Sequence, residues 1–247
     1  MNERLQNGLM AGLLVLTLVL VGFSLRSRGP EVSAPQTRST APTSAATPSP
    51  TPSSTAVGPV VFLGDSVAEG KSASRPDRRW TALVAVELGL KEVNLGHTRT
   101  GYVRTGPEGS CGDTACPNFE DSVPSVVAAK PSVVVVTGGG NDTGTDPEQV
   151  AKAATATLAA LEKELPDADI YVVNPWWDLR PQPESLKTVT DAVIAAAKSS
   201  GVTYLDTGQP LVGKPDLMVA SGTNPNDTGH RTLADAVLKA IEAAPNG

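Results

Sequence analysis

The chain has 247 residues and a formal charge of −6, from 20 Lys+Arg against 26 Asp+Glu. It has no basic patch interleaved with aromatics, which argues against nucleic acid as a partner. Aromatic residues make up only 4% of the chain, too few for an aromatic-lined sugar platform.

Taken in order, the sequence divides into three parts. Residues 1–28 contain an uncharged, mostly apolar run, 8–25 (GLMAGLLVLTLVLVGFSL), at the lower edge of the length that spans a bilayer. We read it as a signal anchor, a single transmembrane helix. The alternative is a cleaved signal peptide, but the nearest small-residue site, Val32-Ser33-Ala34, is followed by Pro35. Arg26 and Arg28 after the run favour a cytoplasmic C-terminal side. The linker and the cysteine pair point the other way, and on these we expect an extracytoplasmic domain at the cell membrane, or a secreted one if the segment is cleaved.

Residues 29–57 are rich in Pro, Ser, Thr and Ala. Such a segment buries too little apolar surface to offset its ordering entropy, and reads as a disordered tether. In a polyproline-like form it would span on the order of 90 Å, at ~3.1 Å per residue.

Residues 58–247 are long enough for one domain with a buried core. Pro59 to Leu63 is a short apolar run expected to form a buried strand, and Glu92 to Leu95 a weaker one. Ser132 to Thr137 (SVVVVT) is the strongest strand signal, and Ile170 to Val173 and Val202 to Leu205 follow. Between them, apolar stripes at helical spacing run through Trp80, Leu83, Val84 and Leu88, then Val150, Ala154, Leu158 and Leu161. Further stripes run through Val189, Val193, Ile194 and Ala197, and through Leu233, Val237, Leu238 and Ile241. Strand–helix alternation with short connections predicts an α/β fold, a parallel sheet covered by helices on both faces. Ligands of such sheets bind at the carboxyl ends of the strands.

Cys111 and Cys116 are flanked by glycine and proline, which predicts a small-loop disulfide in an oxidising compartment, with two free thiols as the alternative. No ligand set for a metal is completed around them.

Three polar clusters sit where the chemistry of such a fold belongs. Gly64-Asp65-Ser66 follows the first strand, Gly138-Gly139-Gly140-Asn141-Asp142 follows the strongest, and Asp227-Thr228-Gly229-His230 opens the last helix. A serine hydroxyl is a weak nucleophile and needs a base within reach and donors for the developing oxyanion. Ser66 can be that nucleophile, and Asn141 can offer its amide. A backbone glycine N–H can be the second donor, for which we select Gly96, with Gly101 close behind. His230 oriented by Asp227 can take the proton. Asp65, Gly101, Asp142, Trp176 and Asn224 are candidates to line the substrate site. The Trp176-Trp177 pair either walls a cleft or caps the core.

The order and separation of these blocks across residues 58–247 resemble the SGNH (GDSL-type) hydrolase family. The resemblance implies a flavodoxin-like three-layer α/β/α sandwich. It also implies serine esterase or acyl hydrolase activity on a small ester or an acylated glycan, without metal or organic cofactor. Two departures stand out. The family's last block usually reads Asp-x-x-His-Pro, whereas this chain reads Ser221-Gly222-Thr223-Asn224-Pro225-Asn226-Asp227-Thr228-Gly229-His230. If Pro225 sets the register, Ser221 and Asn224 occupy the acid and histidine positions; if spacing alone does, Asp227 and His230 do. By spacing from Asn94, the oxyanion glycine position falls on Arg99. His97 is the remaining histidine and a less natural base. The sequence therefore leads first to an active esterase. The alternatives are a degenerate domain that binds an acylated glycan or a protein partner, and an acyltransferase. It does not specify an oligomeric state.

Overall fold

The structure, a computed structural model, describes residues 57–244. The apolar segment 8–25 and the tether lie outside them. Among the described residues, no helix is long and apolar enough to cross a membrane.

Five parallel strands form one sheet in the order β2-β1-β3-β4-β5. They are β1 (Val60–Gly64), β2 (Glu92–Gly96), β3 (Val133–Thr137), β4 (Asp169–Val173) and β5 (Thr203–Leu205). Each falls within a residue of the run that predicted it. Side chains alternate between the two faces. Val61, Leu63, Val134, Val136, Ile170 and Val172 enter one core, with α3 (Phe119–Ala128), α4 (Pro147–Glu164) and α5 (Ser185–Ser200). Val60, Phe62, Val135 and Val173 enter the other, with α2 (Trp80–Glu87) and α6 (Asp227–Ala243). A one-turn helix, α1 (Ser66–Glu69), sits directly after β1. The result is the expected α/β/α sandwich. The largest fully buried side chain is Trp80, whose ring meets Phe62 and Trp176 edge-on at 5.2 and 5.4 Å.

Two readings of the sequence need amending. Helix α3 had no predicted counterpart. Pro124 lies inside it, where proline removes a helical hydrogen bond, and tertiary burial of Phe119, Ser122, Val123 and Val126 holds the helix in spite of it. On α5, Ile194 is 41% exposed, and the buried stripe runs instead through Leu186, Val189, Val193, Ala196 and Ala197.

The strand register positions the site. Gly64 at the end of β1 pairs with Gly96 of β2 on one side and with Thr137 of β3 on the other. The loops that begin at residues 65, 97 and 138 therefore leave the sheet at one level. This is the point where strand order reverses, the usual place for a ligand crevice.

Candidate active site

Gly64 is required where β1 turns into α1: a Cβ there would come within 2.5 Å of the Thr137 carbonyl and 2.6 Å of Ala68 Cβ. The Asp65 side chain caps α1 by accepting the Val67 N–H at 2.9 Å, so the strand-to-helix turn presents Ser66 at the first helical position. Burial pushes the Asp65 carboxyl up to about 6, and the charge of Asp142 adds to the rise.

Ser66 faces a cavity of about 450 Å³ at the carboxyl ends of the strands. Asp65, Asn141, Trp176, Trp177 and Asn224 line it too. The Arg99 N–H donates to Ser66 Oγ at 3.1 Å, and Thr98 Oγ1 makes a longer contact of 3.5 Å. Arg99 has φ +62°, the left-handed region that normally selects glycine. The backbone N–H of this loop that reaches Ser66 is therefore that of Arg99. Gly96, selected from the sequence, gives its N–H to Asn94 Oδ1 at 2.9 Å. Its lack of a side chain serves packing instead, because a Cβ would strike Glu69 N and Ala68 of α1. Asn141 donates one amide hydrogen to the Thr100 carbonyl at 2.9 Å, which leaves its second for the cavity.

Asp142 is fully buried and lies behind this arrangement. Its carboxylate accepts the backbone N–H groups of Tyr102, Val103 and Arg104 at 2.7, 3.1 and 3.0 Å. Burial raises its pKa above the usual carboxylate range, and those three bonds pull it part of the way back. Gly101 is what lets the carboxylate come so close, since a Cβ there would collide with it. Asp142 and Gly101 thus shape the loop that carries Arg99 and do not line the cavity.

The chain has two histidines, and neither lines the cavity. His230 is fully buried. The Trp80 N–H donates to its Nδ1 at 3.4 Å, which leaves Nε2 protonated and donating to the Lys71 carbonyl at 3.1 Å. Burial lowers its pKa, in keeping with this neutral form. A base for Ser66 would need a free, unprotonated ring nitrogen aimed at Oγ, and His230 has both nitrogens occupied by backbone. Asp227 does not hydrogen-bond to it. Its carboxylate takes the Ser74 N–H and hydroxyl at 2.8 and 2.6 Å, which lowers its own pKa, and the N-cap of α6 is Asn226. The structure therefore does not bring the Asp227–His230 pair to Ser66. His97 lies against the disulfide, its Nδ1 3.8 Å from Cys111 Sγ. The disulfide itself joins Cys111 and Cys116, so the cluster these three residues form has no free thiol.

The last loop reaches the cavity through Thr223, Asn224 and Pro225. The loop is pinned there: Met218 bridges to Pro225, Val219 N–H donates to the Asn224 carbonyl at 3.0 Å, and Asn226 N–H donates to Leu217 at 2.9 Å. Ser221, Thr223 and Asn224 form a chain of side-chain contacts at 3.0 and 3.3 Å. An amide cannot accept a proton from serine. Opposite, Trp176 Nε1 donates to Thr207 Oγ1 at 2.7 Å, and Arg180 lies 4.9 Å over the Trp177 ring while pairing with Asp178.

A parallel α/β/α sandwich with a serine at the end of β1 and an asparagine after β3 defines an esterase-type architecture. The chain belongs to the GDSL-like Lipase/Acylhydrolase family, whose sequence profile matches residues 62–232. A GDSL lipase of Mycobacterium tuberculosis is 29% identical over 194 residues, 74% of this chain and 81% of the relative. Among solved structures, an inhibitor-bound aryl esterase of M. smegmatis superimposes with a TM-score of 0.60 at 15% identity, over 76% of this chain and 100% of the other. A carbohydrate acetylesterase of Sinorhizobium meliloti gives 0.55 at 17% identity, over 75% of this chain and 99% of the other. At these identities the two structures speak for the fold.

Proposed function

We propose that this domain recognises an O-acyl ester at Ser66 and turns it over slowly or not at all, because the cleft supplies oxyanion donors but no histidine base. The reading keeps the family's chemical class, serine acyl transfer, with Ser66 as nucleophile and the Arg99 N–H and Asn141 amide as donors to the oxyanion. The observation that carries it is the placement of the two histidines. His230 spends both nitrogens on backbone and His97 faces a disulfide, while Asn224 occupies the cavity wall. A general base contributes roughly 10²–10⁴-fold, so turnover falls by about that factor below a complete site. The ligand we favour is an acylated glycan or another small ester. We also propose an extracytoplasmic location, with segment 8–25 as membrane anchor and residues 29–57 as tether; the Cys111–Cys116 disulfide supports an oxidising compartment.

The experiment compares the soluble domain with its Ser66→Ala variant. An O-acetylated disaccharide should bind saturably in calorimetry, while its deacetylation stays close to the Ser66→Ala rate. Multiple turnover at ordinary enzymatic rates, lost in Ser66→Ala, would restore the active esterase and overturn the reading.

A further inference from the structure

The chain as a whole is acidic, yet its cleft gathers cations. Lys71, Arg99 and Arg180 all line the cavity around Ser66, against Asp65 and Asp178. Asp178 is spent on Arg180, held by charged contacts of 2.7–3.0 Å. Asp65 is turned inward: one oxygen takes the Val67 N–H, and the other lies where a Cβ on Gly138 would be 3.3 Å away. Lys71 and Arg99 are exposed, and among the described residues neither makes an ion pair. The last loop lines the cavity with Thr223 and Asn224, neutral hydroxyl and amide groups.

Arg99 adds an observation of a different kind. Holding a non-glycine residue in the left-handed region strains the backbone. The turn needs only the backbone N–H at this position, which a glycine would give without strain. The guanidinium is therefore surplus to the oxyanion function, and it stands on the residue whose N–H touches Ser66 Oγ.

From this placement we infer that the cleft takes an anionic ligand, with a carboxylate or phosphate oxyanion held between Lys71 and Arg99 beside Ser66. The rest of the ligand lies between the tryptophan wall and the neutral wall, which suits a sugar ring and its hydroxyls. This deepens the reading above and rests on it: the ester recognised is an acid-bearing O-acyl glycan. Arginine suits a planar, two-oxygen acceptor, and lysine adds a point charge.

The test uses three O-acetylated disaccharides of equal size: neutral, carrying one carboxylate, and carrying one phosphate. Binding to the domain is measured by calorimetry at about 0.02 and 0.5 M salt. One of the two acidic sugars should bind about tenfold or more tighter than the neutral one. The preference should shrink in high salt, and whichever acid binds tighter identifies the source of the oxyanion. Lys71→Gln and Arg99→Gly should each remove about tenfold of the acidic sugar's affinity, and Lys239→Gln, on the exposed face of α6, none. Arg99→Gly also relieves the left-handed strain, so its melting temperature should hold or rise, which separates lost binding from lost folding. Equal affinity for neutral and acidic sugars, or an acidic affinity untouched by both cleft variants, overturns the inference. In that case ester recognition at Ser66 still stands. Ser66-dependent rapid turnover with intact charge preference would overturn the slow-turnover reading and leave this one.

Discussion

The double variant Ser221→Asp/Asn224→His is expected to hydrolyse p-nitrophenyl acetate roughly 10²–10⁴-fold faster than the parent domain. The argument is positional. Asn224 lies in the wall of the cavity that Ser66 faces, in a loop fixed by the Met218–Pro225 bridge and by backbone bonds to Val219 and Leu217. Ser221 joins it through Thr223, so an aspartate there can orient a histidine three residues on. In the proposed reading Ser66 is the nucleophile and the Arg99 N–H and Asn141 amide are the donors, so the two substitutions supply only the base and its orienting acid. The gain must vanish on adding Ser66→Ala and survive adding His230→Gln. A folded double variant no faster than its parent would mean that the loop does not carry the base position.

Asp142→Ala should be the costliest single change at this end of the sheet. It leaves the buried N–H of Tyr102 and the partly buried N–H groups of Val103 and Arg104 without their acceptor. Relief of the buried charge offsets part of that cost. We expect a loss of about 3 kcal/mol. For a domain of this size that is a fall in melting temperature on the order of 10 °C. Asp142→Asn should fall between, because Oδ1 serves Val103 and Arg104 while only the Oδ2 bond to Tyr102 is lost to an opposing NH₂. Thermal unfolding followed by circular dichroism measures both. An alanine variant as stable as the parent would show that Asp142 does not organise the loop bearing Arg99.

The strands were legible because β-branched runs such as Val133 to Val136 are buried on both faces of a parallel sheet and need no alternation to be seen. Helix α3 was not, because Pro124 interrupts its local pattern and only packing against the sheet restores it. At the site, Ser66, Asn141 and Asn224 could be placed from their distance to a strand end or to Pro225. The choice between Asn224 and His230 could not. It depends on Trp80 and Lys71, about 150 residues from His230, whose backbone groups claim both of its ring nitrogens. The choice of Gly96 over Arg99 has a related reason. Glycine was the natural residue for the turn, but the left-handed conformation falls on Arg99, and Gly96 is glycine because α1 packs onto it.

The absence of a histidine base is tested most directly by the rate at which a fluorophosphonate modifies Ser66 between about pH 5 and 9, read by intact mass. The account predicts slow labelling that rises with hydroxide and is unchanged in His230→Gln and His97→Gln. Fast labelling with a midpoint in that range, abolished by either histidine substitution, would show that a histidine reaches Ser66 and would contradict the account.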